Sequence, residues 1–549
     1  MNDLDIVLVR PWAPSAAPPG SLVEDALGVG YLAAALRNAG YSVAVLDAFT
    51  FEFNDEQLVE CIGRLAPRAI GVSLHSFADY RHTIAICSAI AERHPEIYRI
   101  VGGEHATFLA REILERHECV DAVVQGEGEA TIVELVASRN SDRPFEPTPG
   151  AFCRAADGTI VDGGARTPIS DLDSLPFPSK DIVETAIQSG KSVAVSLLTG
   201  RGCTHKCTFC TANTYLRMGE GSVWRRRRPE RVADELEALV LRYIGHPPVH
   251  PMVQFQDVIF LGTSPTARAW ARSFVEELEA RGLRVPYYFM SRAEAILANE
   301  DLFPRLVATG LASVEVGIES GVDRILQSYA KQNSVARTEA AIRVLQKHGV
   351  CYDASGFIMF DPHITLDELR VNARFLRHLG HATWDRYVTK LQVFPGTALR
   401  PQLIAEGLFR ADAALDDVYA YEYQDPRVAE IAARVLMYDA GIRTLDTQIH
   451  NARYAIGQRT RPAEATDALR GMTNVAEDMY CDFFLSLLDF ADQRTLVAEF
   501  GSHLCTFLVR VRDMNERLMV LTDVDSERGV PSAPVSVNRR GSDGFEASG

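Results

Sequence analysis

The chain lacks what a secreted, membrane-spanning or disulfide-built protein needs. No apolar run approaches the ~20 residues that cross a bilayer. The opening Met1-Asn2-Asp3-Leu4-Asp5 is acidic, where a secretory leader would be basic and then apolar. Ten cysteines in 549 residues are too sparse for a disulfide scaffold. These absences point to the cytoplasm. Positive charge is also short: the formal net charge is −17, which argues against a nucleic-acid partner. Arg225-Arg226-Arg227-Arg228 is the local exception. It reads as a solvated turn before a helix starting at Pro229, or as a clamp for an anionic substrate or cofactor. With 47% hydrophobic and 23% charged residues the composition is that of a globular protein. The length calls for two to four domains.

What is present begins with alternation. Strand-like runs at 4–10, 41–46, 69–74, 98–103 and 122–126 alternate with helical periods at 28–38, 56–65, 80–93 and 107–116. That pattern predicts an α/β fold with a Rossmann-like parallel sheet. Ligands of such sheets sit at the carboxyl ends of the strands. Here that edge carries Pro11, Trp12, Ser73, Leu74, His75, Gly102, Gly103, Glu104, His105, Gly126, Glu127, Gly128 and Glu129. No G-x-G-x-x-G follows the first strand, so a dinucleotide fold is not supported. A proline-rich stretch over 138–190 then reads as an ordered crossover.

From Ser192 the alternation restarts. Strands are expected at 192–198, 252–257, 286–290, 312–318, 354–360 and 387–394, with helices between them. Six such units make a partial TIM-type (β/α)6 barrel, whose chemistry sits at the strand carboxyl ends. The run Gly202-Cys203-Thr204-His205-Lys206-Cys207-Thr208-Phe209-Cys210 leaves the first of these strands. Its C-x-x-x-C-x-x-C spacing puts three thiolates on one loop, and the next cysteine is Cys351. Most ferredoxin-like clusters use four cysteines. Three would leave one iron of a cube open to a ligand. The rival readings are a structural zinc loop, for which His205 is a poor fourth ligand, and three unrelated cysteines.

The cysteine spacing, with Phe209 before the last cysteine, resembles the radical S-adenosylmethionine (SAM) superfamily. The runs at 27–33, 102–107 and 126–129 resemble the cobalamin-binding domain that precedes the barrel in one subfamily of it, over roughly residues 5–135. The resemblance implies three cofactors: a 4Fe–4S cluster on Cys203, Cys207 and Cys210; SAM; and cobalamin at the strand edge named above. It implies SAM contacts from Phe209, Gln254, Asp257, Ser291, Arg292, Glu319 and Ser320, with Gly356 to Asp361 on the adenine side. No D-x-H occurs in residues 1–150, so the usual lower ligand of cobalt is missing. His75 could face the lower side of the corrin, although a histidine there is more often a surface residue. His105 more readily bonds the cofactor periphery or backbone than a metal. The domain could also keep the fold and bind no cobalamin.

The expected organisation is a cobalamin-binding domain at 1–140, a linker at 141–190, the barrel at 191–400, a helical C-terminal domain at 401–524 and a disordered tail at 525–549. Tyr419, Tyr421, Tyr423, Tyr438, Tyr454, Tyr480, Phe483 and Phe484 stud the helical region. They read as helical core or as a cap that selects substrate. The resemblance implies a methyltransferase acting on an unactivated carbon, or phosphorus, of a small metabolite, in natural-product (antibiotic) biosynthesis. One SAM would donate its methyl through cobalamin, and a second would be cleaved at the open iron. The partners implied are a small-molecule substrate and a reductant such as flavodoxin or ferredoxin. The alternatives are a radical SAM rearrangement, cyclisation, epimerisation or dehydration without methyl transfer, and a non-enzymatic cobalamin or iron–sulfur sensor. A methylthiotransferase fits less well, because Cys61, Cys87, Cys119 and Cys153 lack ligand spacing. No catalytic acid or base is assigned.

Overall fold

The computed structural model describes residues 4–11, 22–139, 147–218, 221–354, 356–457, 463–493 and 498–523. Trp12 and the tail from 525 lie outside the described residues. The chain forms two compact units. One holds Met1–Phe260 with Val393–Arg400 and Asp412–Val418; the other holds Leu261–Gln392, Pro401–Ala411 and Tyr419–Gly549.

The first unit begins with β1 (Ile6–Arg10), β2 (Val43–Asp47), β3 (Ala69–Ser73), β4 (Tyr98–Gly102) and β5 (Ala122–Val124). They pair in parallel in the order β2-β1-β3-β4-β5. β1 shows why a near-continuous apolar run makes a central strand. Ile6 and Leu8 enter one hydrophobic cluster and Val7 and Val9 the cluster on the opposite face. The helix Asp55–Leu65 starts on a capping box, Asn54 and Gln57 each accepting from the other's backbone N–H.

The sheet continues past the expected domain. β6 (Ala151–Arg154) and β7 (Ile160–Asp162) add antiparallel to β5, for a seven-stranded sheet. The proline-rich stretch thus contributes a hairpin. Downstream of it, Lys180 Nζ donates to Asp25 Oδ2 at 2.6 Å and to the Ser196 carbonyl at 2.7 Å. Both partners of this ion pair are buried, at 8% and 2% side-chain exposure.

β8 (Val193–Leu197) restarts the alternation, and β9 (Gly200–Gly202) pairs antiparallel with β10 (Trp224–Arg226). β11 (Val249–Phe255) pairs parallel with β8. In the second unit β12 (Tyr287–Ser291), β13 (Leu311–Val316) and β14 (Cys351–Asp353) pair in parallel. The helices Pro229–Arg242, Pro265–Arg281, Val335–Lys347 and Leu366–His378 lie between the expected strands. The architecture is α/β with a mainly helical C-terminal region.

Two expected barrel strands differ. The described residues of the run 354–360 form no strand; β14 is short and ends at Asp353. The last expected strand begins instead with the helix Trp384–Tyr387 and keeps a single bridge, Phe360 with Lys390. The backbone donors explain this. Ile358 N–H goes to the Glu319 carbonyl, and those of Met359 and Phe360 go to the Thr389 carbonyl. The Phe360 N–H bond and that of the Leu391 N–H to the Phe360 carbonyl are the bridge itself, so pairing is confined to one residue pair and does not run on as a ladder.

C-terminal helices span Leu399–Ala405, Pro426–Gly457, Ala463–Gln493 and Ala498–Asp523. Tyr480, Phe483 and Phe484 are buried there. Phe483 stacks on Phe507 at 3.8 Å, and Phe484 on Tyr387 at 4.7 Å. These three aromatics are core. Tyr419 is exposed, and Tyr421 and Tyr423 are half-buried beside each other, their rings 5.5 Å apart. No described helix is long and apolar enough to cross a membrane.

Candidate functional site

The cysteine loop starts where β9 ends. Gly202 has φ +110°, a region L side chains rarely adopt, and a Cβ there would lie 2.0 Å from the Val223 carbonyl oxygen. Glycine is therefore needed for the hairpin that carries the loop. Cys207 is buried and Cys203 and Cys210 are half-buried. The Cys210 N–H donates to the Cys207 carbonyl at 3.2 Å. Arg217 Nη2 donates to the carbonyls of Cys203 and His205 at 3.1 and 3.3 Å. The Leu399 N–H donates to the Thr208 carbonyl at 2.9 Å. The loop is thus braced at its start, middle and end. Among the described residues no group of three or more His, Cys, Asp or Glu is arranged to hold a metal ion. A cube makes a different demand, since each thiolate meets its own iron.

Asp257 follows β11 and is buried. It accepts from the Thr199 N–H at 3.0 Å and the Thr199 hydroxyl at 2.8 Å, so it fixes the turn between β8 and β9. Burial pushes its carboxyl up, against the pull of Arg226. Gln254 Oε1 accepts from Gln256 Nε2 at 2.9 Å. Phe209 is half-buried.

The arginine run takes neither expected form as a whole. Arg225 and Arg227 are buried. Arg225 binds Glu127 bidentately, at 3.0 and 2.6 Å. Arg227 pairs with Glu235, and Arg228 with Asp173 at 2.9 Å. Arg226 lies over Trp224 at 4.2 Å, and burial lowers its pKa to about 10. Local sequence suggested an exposed turn, but the partners lie up to 98 residues away.

At the sheet edge the strand order reverses between β1 and β3, the position where doubly wound sheets open a crevice. Pro11 follows β1; Ser73 ends β3, and Leu74 and His75 follow it. His75 is exposed. Gly103 has φ +124°, and a Cβ would lie 2.6 Å from the Leu74 carbonyl oxygen. The Thr107 hydroxyl donates to the Gly103 carbonyl at 2.8 Å and accepts from the Gly126 N–H at 3.1 Å, tying two of the glycine turns together. Gly128 packs against Leu32, and Glu104 opens a short helix. Glu127 accepts from Arg225 and Arg201, and Glu129 from Arg201. His105 is 3% exposed, with Nε2 at 3.0 Å from the Leu415 carbonyl. That contact makes Nε2 the donor and leaves Nδ1 a buried lone pair with no partner among the described residues. Burial lowers the pKa of His105 to about 4.

In the second unit, Ser291 ends β12 and Arg292 follows it, while Glu319 and Ser320 lie just past β13; all four are buried. Glu319 has φ +62° and its Oε1 accepts from Lys331 Nζ. Its Oε2, like the Ser291 hydroxyl, has no partner among the described residues. Ser320 Oγ donates to Asn372 Oδ1 at 3.1 Å. Buried polar atoms are normally satisfied, so two such atoms at adjacent strand ends suit a polar ligand. Gly103 lets the β4 end approach the Leu74 backbone, and the three thiols are carried on one braced loop. Arg201, Arg217 and Lys331 carry no motif; only their three-dimensional partners single them out.

Residues 22–136 match the B12 binding domain and residues 197–376 the Radical SAM superfamily. The anaerobic magnesium-protoporphyrin IX monomethyl ester cyclase of Rubrivivax gelatinosus is 30% identical over 372 residues, 65% of this chain and 63% of that protein. The chain thus spans about three fifths of that cyclase's length. An uncharacterized methyltransferase of Pyrococcus horikoshii is 26% identical over 420 residues, 74% of this chain and 85% of that protein. Among solved structures, the cobalamin-dependent S-adenosylmethionine radical enzyme OxsB, with aqua-cobalamin and S-adenosylmethionine bound, shares the fold. Its TM-score is 0.73 at 18% identity, covering 96% of this chain and 81% of that one. With both domains on one chain in this order, the protein belongs to the cobalamin-dependent radical SAM enzyme family, whose cofactors are a 4Fe–4S cluster, SAM and cobalamin.

Proposed function

We propose that this chain is a methyltransferase for an unactivated carbon, or phosphorus, of a small metabolite in natural-product biosynthesis. The observation that carries the reading is the pairing of a B12 binding domain with a C-x-x-x-C-x-x-C loop on one chain. When bound, the cluster supplies one-electron cleavage of SAM and cobalamin supplies methyl transfer, which suits an atom no ordinary nucleophile could methylate. In this reading the Cys203, Cys207 and Cys210 thiolates hold the cluster. Gly202 and Arg217 fix the loop that carries them. Arg292, held by Glu294 and the Lys331 carbonyl, supplies the positive charge that meets the SAM carboxylate, and Glu319 accepts from ribose hydroxyls. Phe209, Gln254, Asp257, Ser291 and Ser320 complete the proposed SAM contacts, and the β1/β3 edge with Pro11, His75 and Gly103 receives the corrin. The helical C-terminal region selects substrate. A flavodoxin or ferredoxin delivers electrons, in the reducing cytosol a labile cluster needs.

A second reading, ring formation without methyl transfer, has one specific observation in its favour: the likeness to the Rubrivivax cyclase. The test is anaerobic turnover of the reconstituted full chain with methyl-labelled SAM and candidate small metabolites, followed by mass spectrometry. One labelled methyl group in the product is expected. SAM cleavage with an unlabelled, altered product would favour cyclisation. A reduced protein that never cleaves SAM would leave a sensor.

A further inference from the structure

The two second-unit residues assigned above to the ends of SAM rest on a third that no motif marks. Lys331 lies on the turn after the helix Asp323–Ser328 and is 3% exposed. Its Nζ donates to Glu319 Oε1, and its carbonyl accepts from Arg292 Nη2. One residue thus meets the end of β12 through its backbone and the end of β13 through its side chain.

The backbone around it is committed to that geometry. Ala330 and Gln332 have φ +50° and +55°, and Glu319 has φ +62°. Three non-glycine residues in the left-handed region within fourteen positions are uncommon, and such conformations persist where surrounding structure enforces them. Space is kept open as well. A Cβ on Gly317 would lie 2.9 Å from Lys331 Nζ and 3.3 Å from Glu319 Oε1. The Lys331 N–H is held by the Leu326 carbonyl at 3.0 Å. The pair satisfies one carboxylate oxygen of Glu319 and leaves Oε2 buried and unmatched among the described residues. A carboxylate with one oxygen fixed and the other waiting is arranged to accept from a hydroxyl.

Resting on the SAM reading above, we propose that Lys331 is a positioning residue for the nucleoside. Its ammonium fixes Glu319 so that Oε2 accepts from the ribose hydroxyls, and its carbonyl holds Arg292 in line. Lys331 does not itself touch the ligand.

The test uses the full chain with its cluster reconstituted anaerobically. Binding of S-adenosylhomocysteine and of its 2′,3′-dideoxy analogue is measured by calorimetry, so no turnover is needed. Wild type should prefer the diol by at least about tenfold, the worth of a hydrogen bond to a buried charged acceptor. K331M should reduce that preference to below about threefold while changing affinity for the dideoxy analogue much less. K331R keeps the charge but shifts the fork, and an intermediate preference is expected; it also serves as the second variant if K331M does not fold. Wild-type discrimination surviving in K331M, or in K331R where K331M does not fold, overturns this inference alone. A wild-type chain that binds neither nucleoside overturns the SAM reading and this inference with it.

Discussion

Gly202 and the three cysteines after it show how much of the candidate site lies in single residues. The spacing was legible because three thiolates bound to one cluster must be close in sequence or brought close by a turn. The need for glycine at 202 was not, since it comes from the carbonyl of Val223 on the facing strand. Gly202→Ala must displace that hairpin. We expect its iron content after anaerobic reconstitution to fall well below the wild type's about four irons per chain. The triple variant Cys203→Ala, Cys207→Ala, Cys210→Ala should bind essentially none. A colorimetric iron assay reads both, and a triple variant with full iron would remove the cluster from this loop. His75 illustrates the converse. Its place at a strand end allowed a cobalt ligand but read more readily as a surface residue, and the structure leaves it exposed beside β3. His75→Ala should therefore retain most bound cobalamin, as read from the corrin absorbance after gel filtration.

Elements were legible where periodicity was strong. The β1–β5 alternation and the helix Pro265–Arg281, with Ser264 as N-cap and Gly282 in the left-handed region at its end, follow from local rules. The β6–β7 hairpin was not legible, because its short strands sit among prolines and gain stability from the edge of β5 rather than from their own pattern. The run 354–360 failed for another reason: although apolar and strand-like, it pairs through the single Phe360–Lys390 bridge, and its Ile358 N–H goes to the Glu319 carbonyl beyond the end of β13. The short helix Glu104–Phe108 carries a pH-dependent consequence. His105 is neutral when folded, with a pKa lowered to about 4 from 6.5 by burial. Its contribution is present above pH 6.5 and is lost as pH falls towards 4, because the unfolded chain then binds the extra proton. At 1.36 kcal/mol per pH unit that is about 3 kcal/mol. His105→Gln offers a donor to Leu415 without titrating. Its urea midpoint should fall less than the wild type's between pH 6.5 and 4.5; parallel declines would show that another group is responsible.

At the scale of the whole molecule, charge pairing decides what the arginine run does. Arg225 and Arg201 reach back to Glu127 and Glu129, which follow β5, so the β9–β10 hairpin is clamped to the sheet edge within the first unit. Arg225→Met would leave Glu127 buried with Arg201 at 3.4 Å as its remaining arginine. Breaking one side of a buried pair costs about 3–5 kcal/mol, whereas removing both sides costs far less. Arg225→Met should therefore lower the denaturation midpoint sharply, and adding Glu127→Gln should recover much of the loss. A double variant no more stable than the single one would show that Glu127 is not the partner that matters.

The amino-acid sequence by itself determined the alternation of strands and helices, the two α/β domains and the cysteine loop. These depend on side-chain period and on spacing along a few residues. Only the tertiary structure decided which charges are buried together, that Lys331 meets Glu319 and Arg292, and that the linker extends the sheet. A buried ionic group must find its partner wherever the chain brings one, and nothing local records that distance.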